Sequence, residues 1–135
     1  MATRYASPGY LKRKGMPVTL NDLKHHSFVS YVESVLQVAE LGYRSSHLPM
    51  PETSFQATSI FAQTEAVRRN AGIGLLPNFM VSGKSGFTPV LRDAFHRQLP
   101  IWAVARPESL RSALVQAVIG AIQQEVAERR STLAS

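Results

Sequence analysis

The clearest alternation of apolar and polar positions runs from Thr58 to Phe79, TSIFAQTEAVRRNAGIGLLPNF. Ile60, Phe61, Thr64, Val67 and Ala71 fall on one stripe at helical spacing, while Gln63, Arg68 and Asn70 fall mostly elsewhere. That spacing predicts an amphipathic helix. Thr58 or Ser59 can cap it, because either hydroxyl can accept an orphan N–H of the first turn. Gly72 stands where a left-handed residue is wanted beyond the helix, and Ile73-Gly74-Leu75-Leu76 reads as a buried strand. A helix feeding a buried strand usually belongs to a sheet with helices on its faces. Such sheets bind ligands beyond the carboxyl ends of their strands, here at Leu76-Pro77, although periodicity alone is equally met by packing without a ligand.

The remaining chain supplies shorter elements. Thr3 to Ala6 is a short strand, after which Ser7 caps a helix with Pro8 at its first position, where the missing N–H costs nothing. Gly15 and Pro17 stop that helix. Thr19 caps a second short helix, TLNDLKHH, with Asp22 placed for a capping box. Ser27 to Val32 alternates as a strand. Gly42, Pro49 and Pro51 break any long element between Glu33 and Glu52, which reads as a loop-rich excursion. Ser54 to Thr58 is a strand leading into the central helix. A turn of helix through Phe79 and Val81, a connector from Gly83 to Gly86 and an edge strand from Thr88 to Leu91 follow.

Leu99 to Ala105, LPIWAVA, reads as an apolar strand with Pro100 near its start, where a lost donor is tolerable. Pro107 then opens a long helix from about Glu108 to Arg129. Leu110, Leu114, Ala117, Val118, Ala121, Ile122 and Val126 form its apolar stripe, widened by Val115 and Ile119. That width exceeds what one small sheet needs, so the helix presents either a broad core face or a partner surface.

Composition narrows the class. The 135 residues, 44% apolar and 18% charged, fit one globular domain with a modest core. Without cysteine there is neither disulfide nor thiolate zinc site, and a reducing compartment is the simpler expectation. No apolar run has the length of a signal-peptide core or a membrane span, so a cytoplasmic, membrane-free protein is expected. The net charge of +6 is scattered over Lys12, Arg13 and Lys14, Arg68 and Arg69, and Arg129 and Arg130. No stacking aromatics or helix-turn-helix spacing accompany it, so it does not describe a nucleic-acid surface.

Catalytic chemistry is poorly supplied. His25, His26, His47 and His96 have no metal-pair spacing, and no phosphate loop occurs. Gly72-Ile73-Gly74 lacks the third glycine and acidic partner of a dinucleotide fingerprint. Asp22, Glu33, Glu40, Glu52, Glu65 and Asp93 show no pairing that marks an acid/base couple. A non-enzymatic protein without cofactor or metal is expected.

Three segments taken in order, ASPGYLKRKGMPVTLNDLKHHSFVSY, TSIFAQTEAVRRNAGIGLLPNF and LPIWAVARPESLRSALVQAVIGAI, resemble the second half of the effector-binding domain of LysR-type transcriptional regulators. The similarity runs nearly end to end, and the order and spacing of the motifs are more specific than any one of them. It implies an α/β fold: a periplasmic-binding-protein-like (type 2) lobe with a small mixed sheet flanked by helices, over about residues 7–98. A strand and a long helix, about residues 99–135, would return to the other lobe. The cleft-facing positions carried over are Tyr31, Val32 and Glu33 after a strand, Thr58, Ser59 and Ile60 at the helix start, and Leu76 and Pro77. A hydroxyl-rich helix amino terminus suits a carboxylate, a common effector group in the family, unless Thr58 and Ser59 serve only as caps.

Full regulators of that family carry a winged helix-turn-helix, a linker helix and a first lobe before this segment. The sequence is therefore expected to be a truncated product, with DNA contacts and half of the effector contacts supplied elsewhere. The Leu99–Ala105 strand and the Glu108–Val126 helix would then lack their usual cover. A homodimer or higher oligomer is expected. Two other roles fit the same residues: an interaction module that associates with intact regulators, and a small solute-binding α/β protein.

Overall fold

The computed structural model describes residues 2–32, 52–93, 96–97 and 102–134. Its core is a mixed sheet of strands β1 (Ala2–Ala6), β2 (Ser27–Ser30), β3 (Glu52–Gln56), β4 (Ile73–Pro77), β5 (Thr88–Pro89) and β6 (His96–Arg97), with helices α1 (Pro8–Lys14), α2 (Ile60–Arg68) and α3 (Asn78–Val81). The strand order is β3-β2-β4-β1-β5, and β6 also pairs with β1. β2 runs parallel to both β3 and β4, with Val29 opposite Gly74. β1 runs antiparallel to β4, from Ala2 opposite Pro77 to Tyr5 opposite Gly74. Consequently the carboxyl ends of β2, β3 and β4 and the start of β1 share one edge.

Alternation along the strands divides the core between two faces. Ala6, Phe28 and Ile73 pack with Tyr10 and Leu11 of α1, Leu23 and Val90. Tyr5, Val29 and Leu76 pack on the other side with Val67 of α2 and Val81 of α3. Complete burial of each large apolar side chain contributes about 1.5–3 kcal/mol. A Cβ on Gly74 would lie 2.6 Å from a Val67 methyl, so this glycine lets α2 settle against β4.

The caps legible in the sequence form as expected in the first half. Ser7 Oγ accepts from the Tyr10 N–H at 3.2 Å, and Gly15 closes α1 at φ 88°. Thr19 and Asp22 make a reciprocal capping box on Leu20–His25, which is a 3-10 helix. Side chains then tie α1 to the turn after α2. Ser7 Oγ donates to Asn70 Oδ1 at 2.6 Å, and Arg13 Nη2 donates to the Asn70 carbonyl at 3.1 Å.

Several expectations are corrected. The left-handed residue after α2 is Asn70, at φ 67°, rather than Gly72. Gly72 is needed for another reason: a Cβ there would lie only 2.4 Å from the Ser27 carbonyl oxygen, because the chain crosses tightly into β4. The buried face of α2 is Gln63 and Val67, while Phe61 is 75% exposed. Strand β2 stops at Ser30, and β3 begins at Glu52 rather than Ser54.

The Glu33–Glu52 excursion lies outside the described residues up to position 51, as does the beginning of the Leu99–Ala105 strand. Trp102 to Arg106 form no sheet ladder and are exposed, and among the described residues the last pairing with β1 comes earlier, at β6. The long helix is divided. A 3-10 turn, Ser109–Arg111, is separated by Ser112, in extended conformation, from α4 (Ala113–Glu128), which is followed by α5 (Arg130–Ala134). No residue of α4 is buried.

Candidate functional site

The shared edge gathers the ends of three parallel strands and the amino terminus of α2. Tyr31 and Val32 follow β2 and are half-buried. Burial pushes the Tyr31 phenol above its ordinary value, so it remains a protonated donor at neutral pH. Glu33 lies outside the described residues. The Ala57 N–H donates to the Ser30 carbonyl at 3.1 Å, which holds the exit of β3 beside the exit of β2.

Thr58 and Ser59 follow, both exposed. Ser59 is the N-cap of α2, with its Oγ 3.5 Å from the Ala62 N–H that it accepts. That is the long limit of a hydrogen bond, so the helix end is incompletely capped by its own hydroxyl. Ile60 opens the helix half-buried against the core face beneath it. The N–H groups of a first helical turn have no carbonyl of their own helix, so they present donors and a positive dipole end.

Leu76 and Pro77 close β4 at the same edge but differ in accessibility. Leu76 is fully buried in the core, so its side chain supports the edge from beneath. Pro77 is half-buried and leads into α3. The edge therefore offers hydroxyls and backbone donors from one side and apolar support from the other. It suits binding of a small anionic or polar molecule.

Three supporting residues were not singled out from the sequence. Gln63 is buried and its Nε2 donates to the Ala57 carbonyl at 2.8 Å, which fixes the turn that carries Thr58 and Ser59. Its position, four residues before Val67 on the helix, was the available signal. Asn78, also buried, accepts from the Tyr5 hydroxyl at 3.3 Å through Oδ1, tying the end of β4 to β1. Nothing local marks that pair, which is 73 residues apart.

Two carboxylates elsewhere, Glu65 and Asp22, have structural partners. Hydrogen bonds from Arg68 and Arg69 hold Glu65 down at about 2. Backbone N–H groups of Thr19 and Val18 lower Asp22. Among the described residues no group of three or more histidines and carboxylates converges on a metal site, and no helix is long and apolar enough to cross a membrane.

A mixed sheet whose parallel strands end around a helix amino terminus defines an α/β ligand-binding lobe. The family model for the LysR substrate binding domain matches residues 4–127, and the chain belongs to that family. It is 30% identical over 82 residues to the iron-regulated virulence regulatory protein IrgB of Vibrio cholerae, covering 58% of this chain and 28% of that protein. Over 78 residues it is 32% identical to an HTH-type transcriptional regulator of Haemophilus influenzae, covering 56% of this chain and 27% of the relative.

Among solved structures it is similar to the regulatory domain of CrgA, a LysR-type transcriptional regulator of Neisseria meningitidis. The TM-score is 0.57 at 22% identity, over 72% of this chain and 50% of that one. The regulatory domain of AphB from Vibrio vulnificus gives 0.54 at 20% identity, over 68% and 49%. These two likenesses establish the α/β fold. The chain spans little more than a quarter of the curated relatives' length and about half of the solved regulatory domains.

Proposed function

We propose that this chain is the ligand-sensing, non-catalytic part of a LysR-type transcriptional regulator. Its effector is a small carboxylate, and in the full-length parent its occupancy sets transcription through a DNA-binding domain located elsewhere in the polypeptide. The observation that carries this reading is the amino terminus of α2. Ser59 caps it only at 3.5 Å, and it sits where three parallel strands end. A carboxylate placed there accepts from the first-turn N–H groups and the hydroxyls of Thr58 and Ser59. Tyr31, Val32 and Pro77 flank it, Ile60 and Leu76 provide the apolar floor, and Glu33 is assigned to the same edge by family resemblance. The protein works in the cytoplasm, without membrane contact.

Coupling requires the ligand to favour one arrangement of the domain over another. One lobe contributes only part of the free energy, so binding to this chain alone is weak. A thermal-shift screen of short-chain and aromatic carboxylates tests this. Stabilisation follows RT ln(1 + [L]/Kd), about 2.7 kcal/mol at a hundredfold excess over Kd. A carboxylate that stabilises the protein should lose most of that effect in Ser59→Ala combined with Thr58→Val. Stabilisation that survives the double substitution would place the ligand elsewhere.

A second reading, an interaction module that dimerises with itself or with intact regulators, is favoured by the exposure of α4. Sedimentation of the chain alone and with an intact regulator separates the two roles.

A further inference from the structure

Gln63 closes the first turn of α2 and is only 1% exposed. Its side-chain amide meets the Ala57 carbonyl at 2.8 Å. A carbonyl oxygen only accepts, so the atom facing it is Nε2 and the orientation of the amide is fixed. The nitrogen and oxygen of one amide stand about 2.3 Å apart. Oε1 therefore lies within about 5 Å of the Ala57 carbonyl, at the turn that carries Thr58 and Ser59. None of the described residues donates to Oε1, which remains an available acceptor. We propose that Gln63 determines effector specificity: Oε1 accepts from a hydroxyl of the ligand, which is a hydroxy-carboxylate rather than a plain carboxylic acid.

This assignment rests on a carboxylate occupying the first-turn N–H groups of α2 and adds the second group of the same ligand. Two other buried or half-buried polar side chains are committed within the lobe. Thr64 Oγ1 donates to the Ile60 carbonyl at 2.8 Å, and Asn78 Oδ1 accepts from the Tyr5 hydroxyl. The donor that Gln63 takes is neutral. The first turn of α2 carries the positive end of the helix dipole, which repels an ammonium group and leaves a hydroxyl unaffected. The short span between that turn and Oε1 places the hydroxyl on a carbon close to the carboxylate.

Selectivity against the plain acid follows from hydration. A free amide oxygen bonds to water, and a ligand that displaces this water must return a donor or leave the oxygen unpaired. A hydroxy acid replaces the bond. The acid without the hydroxyl does not, and one bond withheld in this way costs on the order of tenfold in affinity. A site built around an acceptor therefore discriminates mainly against the analogue that lacks the matching donor.

NMR titration of the intact 135-residue chain with matched acids tests this: lactate against propionate, mandelate against phenylacetate, and β-hydroxybutyrate against butyrate. In the pair that fits best, the hydroxy acid is expected to bind on the order of tenfold tighter. Gln63→Met should bring that ratio close to one, and Gln63→Leu repeats the comparison with a second apolar side chain. Losing the bond to Ala57 loosens the turn for both members of a pair alike, so the ratio is the readout rather than either affinity. Equal binding within every pair by the wild type overturns the role of Gln63 without need of a variant. A preference that persists in folded Gln63→Met overturns it as well. In either case the carboxylate site itself stands if Thr58→Val with Ser59→Ala weakens both acids of a pair. Failure of every acid to bind at millimolar concentration removes the carboxylate site and the role of Gln63 together.

Discussion

At Gly72 a methyl group would meet the Ser27 carbonyl oxygen at 2.4 Å, and both groups belong to the backbone. Neither can rotate aside, so Gly72→Ala is expected to cost about 3 kcal/mol by overpacking, read from the urea midpoint. Gly120 is the opposite case: it lies inside α4 with nothing within 4 Å of a built Cβ. Gly120→Ala should raise helix stability by about 0.5–1 kcal/mol and leave the fold unchanged. Asn70 combines two roles, a positive φ and the hydrogen bond from Ser7. Asn70→Gly keeps the first and loses the second, at about 1 kcal/mol, whereas Asn70→Ala loses both and should cost about 2 kcal/mol. The sequence showed that a left-handed residue was needed after α2. Only the packing of α1 against that turn decided that Asn70 supplies it.

Helix α2 was legible as an element, but its buried face was not. The apolar stripe favoured Phe61, whereas the structure turns Gln63 inward and leaves Phe61 in water. Gln63 is tolerated because its amide reaches the Ala57 carbonyl, which removes the penalty of burying it. The same rotation seats Val67 on Gly74. Val67→Ala should therefore cost about 2–3 kcal/mol, and Phe61→Ala should change stability by less than about 0.5 kcal/mol. Equal losses from the two in chemical denaturation would restore the stripe read from the sequence. The C-terminal end of the last long helix and its apolar stripe, exposed from Leu110 onward, were legible, but its start was not, since the α-helix begins at Ala113 rather than at Glu108. Its interruption at Ser112 was not foreseen, since nothing in ESLRSAL marks a break, and Gln116 Nε2 bonds back to the Leu110 carbonyl across it at 2.8 Å.

For the molecule as a whole, pH acts through a buried node that joins α1, the 3-10 helix and β2. The Ser27 N–H donates to the Tyr10 hydroxyl at 2.9 Å, and that oxygen lies 3.2 Å from His26 Nδ1. With Ser27 donating to it, the phenol directs its own hydrogen to Nδ1, which requires a neutral imidazole. Burial lowers the affinity of His26 for a proton, Lys14 and His25 lower it further, and Asp22 opposes them. The unfolded chain, with an ordinary histidine near 6.5, then binds the proton more readily than the folded one. Stability should be level above neutrality and fall as pH drops below about 6.5, and His26→Gln should flatten that fall. A second acid loss begins near 4.5 and extends toward about 2 as Glu65 gives up its arginine partners, and Asp22, lowered by the backbone N–H groups of Thr19 and Val18, adds a loss of the same sign. At the other extreme burial raises Tyr10, so its ionisation should destabilise the fold above pH 10. A urea midpoint that is flat between pH 5 and 7 would remove His26 from this role.

What the sequence determined by itself was local: caps at Ser7, Thr19 and either Thr58 or Ser59, the glycine stop of α1, the buried run from Ile73, and the order of motifs that places the chain in its family. Those features are written in neighbouring residues, because a cap or a strand pattern is satisfied within one turn of chain. The tertiary structure alone decided which groups meet. It brought the exits of β2, β3 and β4 to one edge, joined Tyr5 to Asn78, and left α4 in water. These outcomes depend on strand order and on the close approach of distant backbone segments, and no short window of residues specifies either.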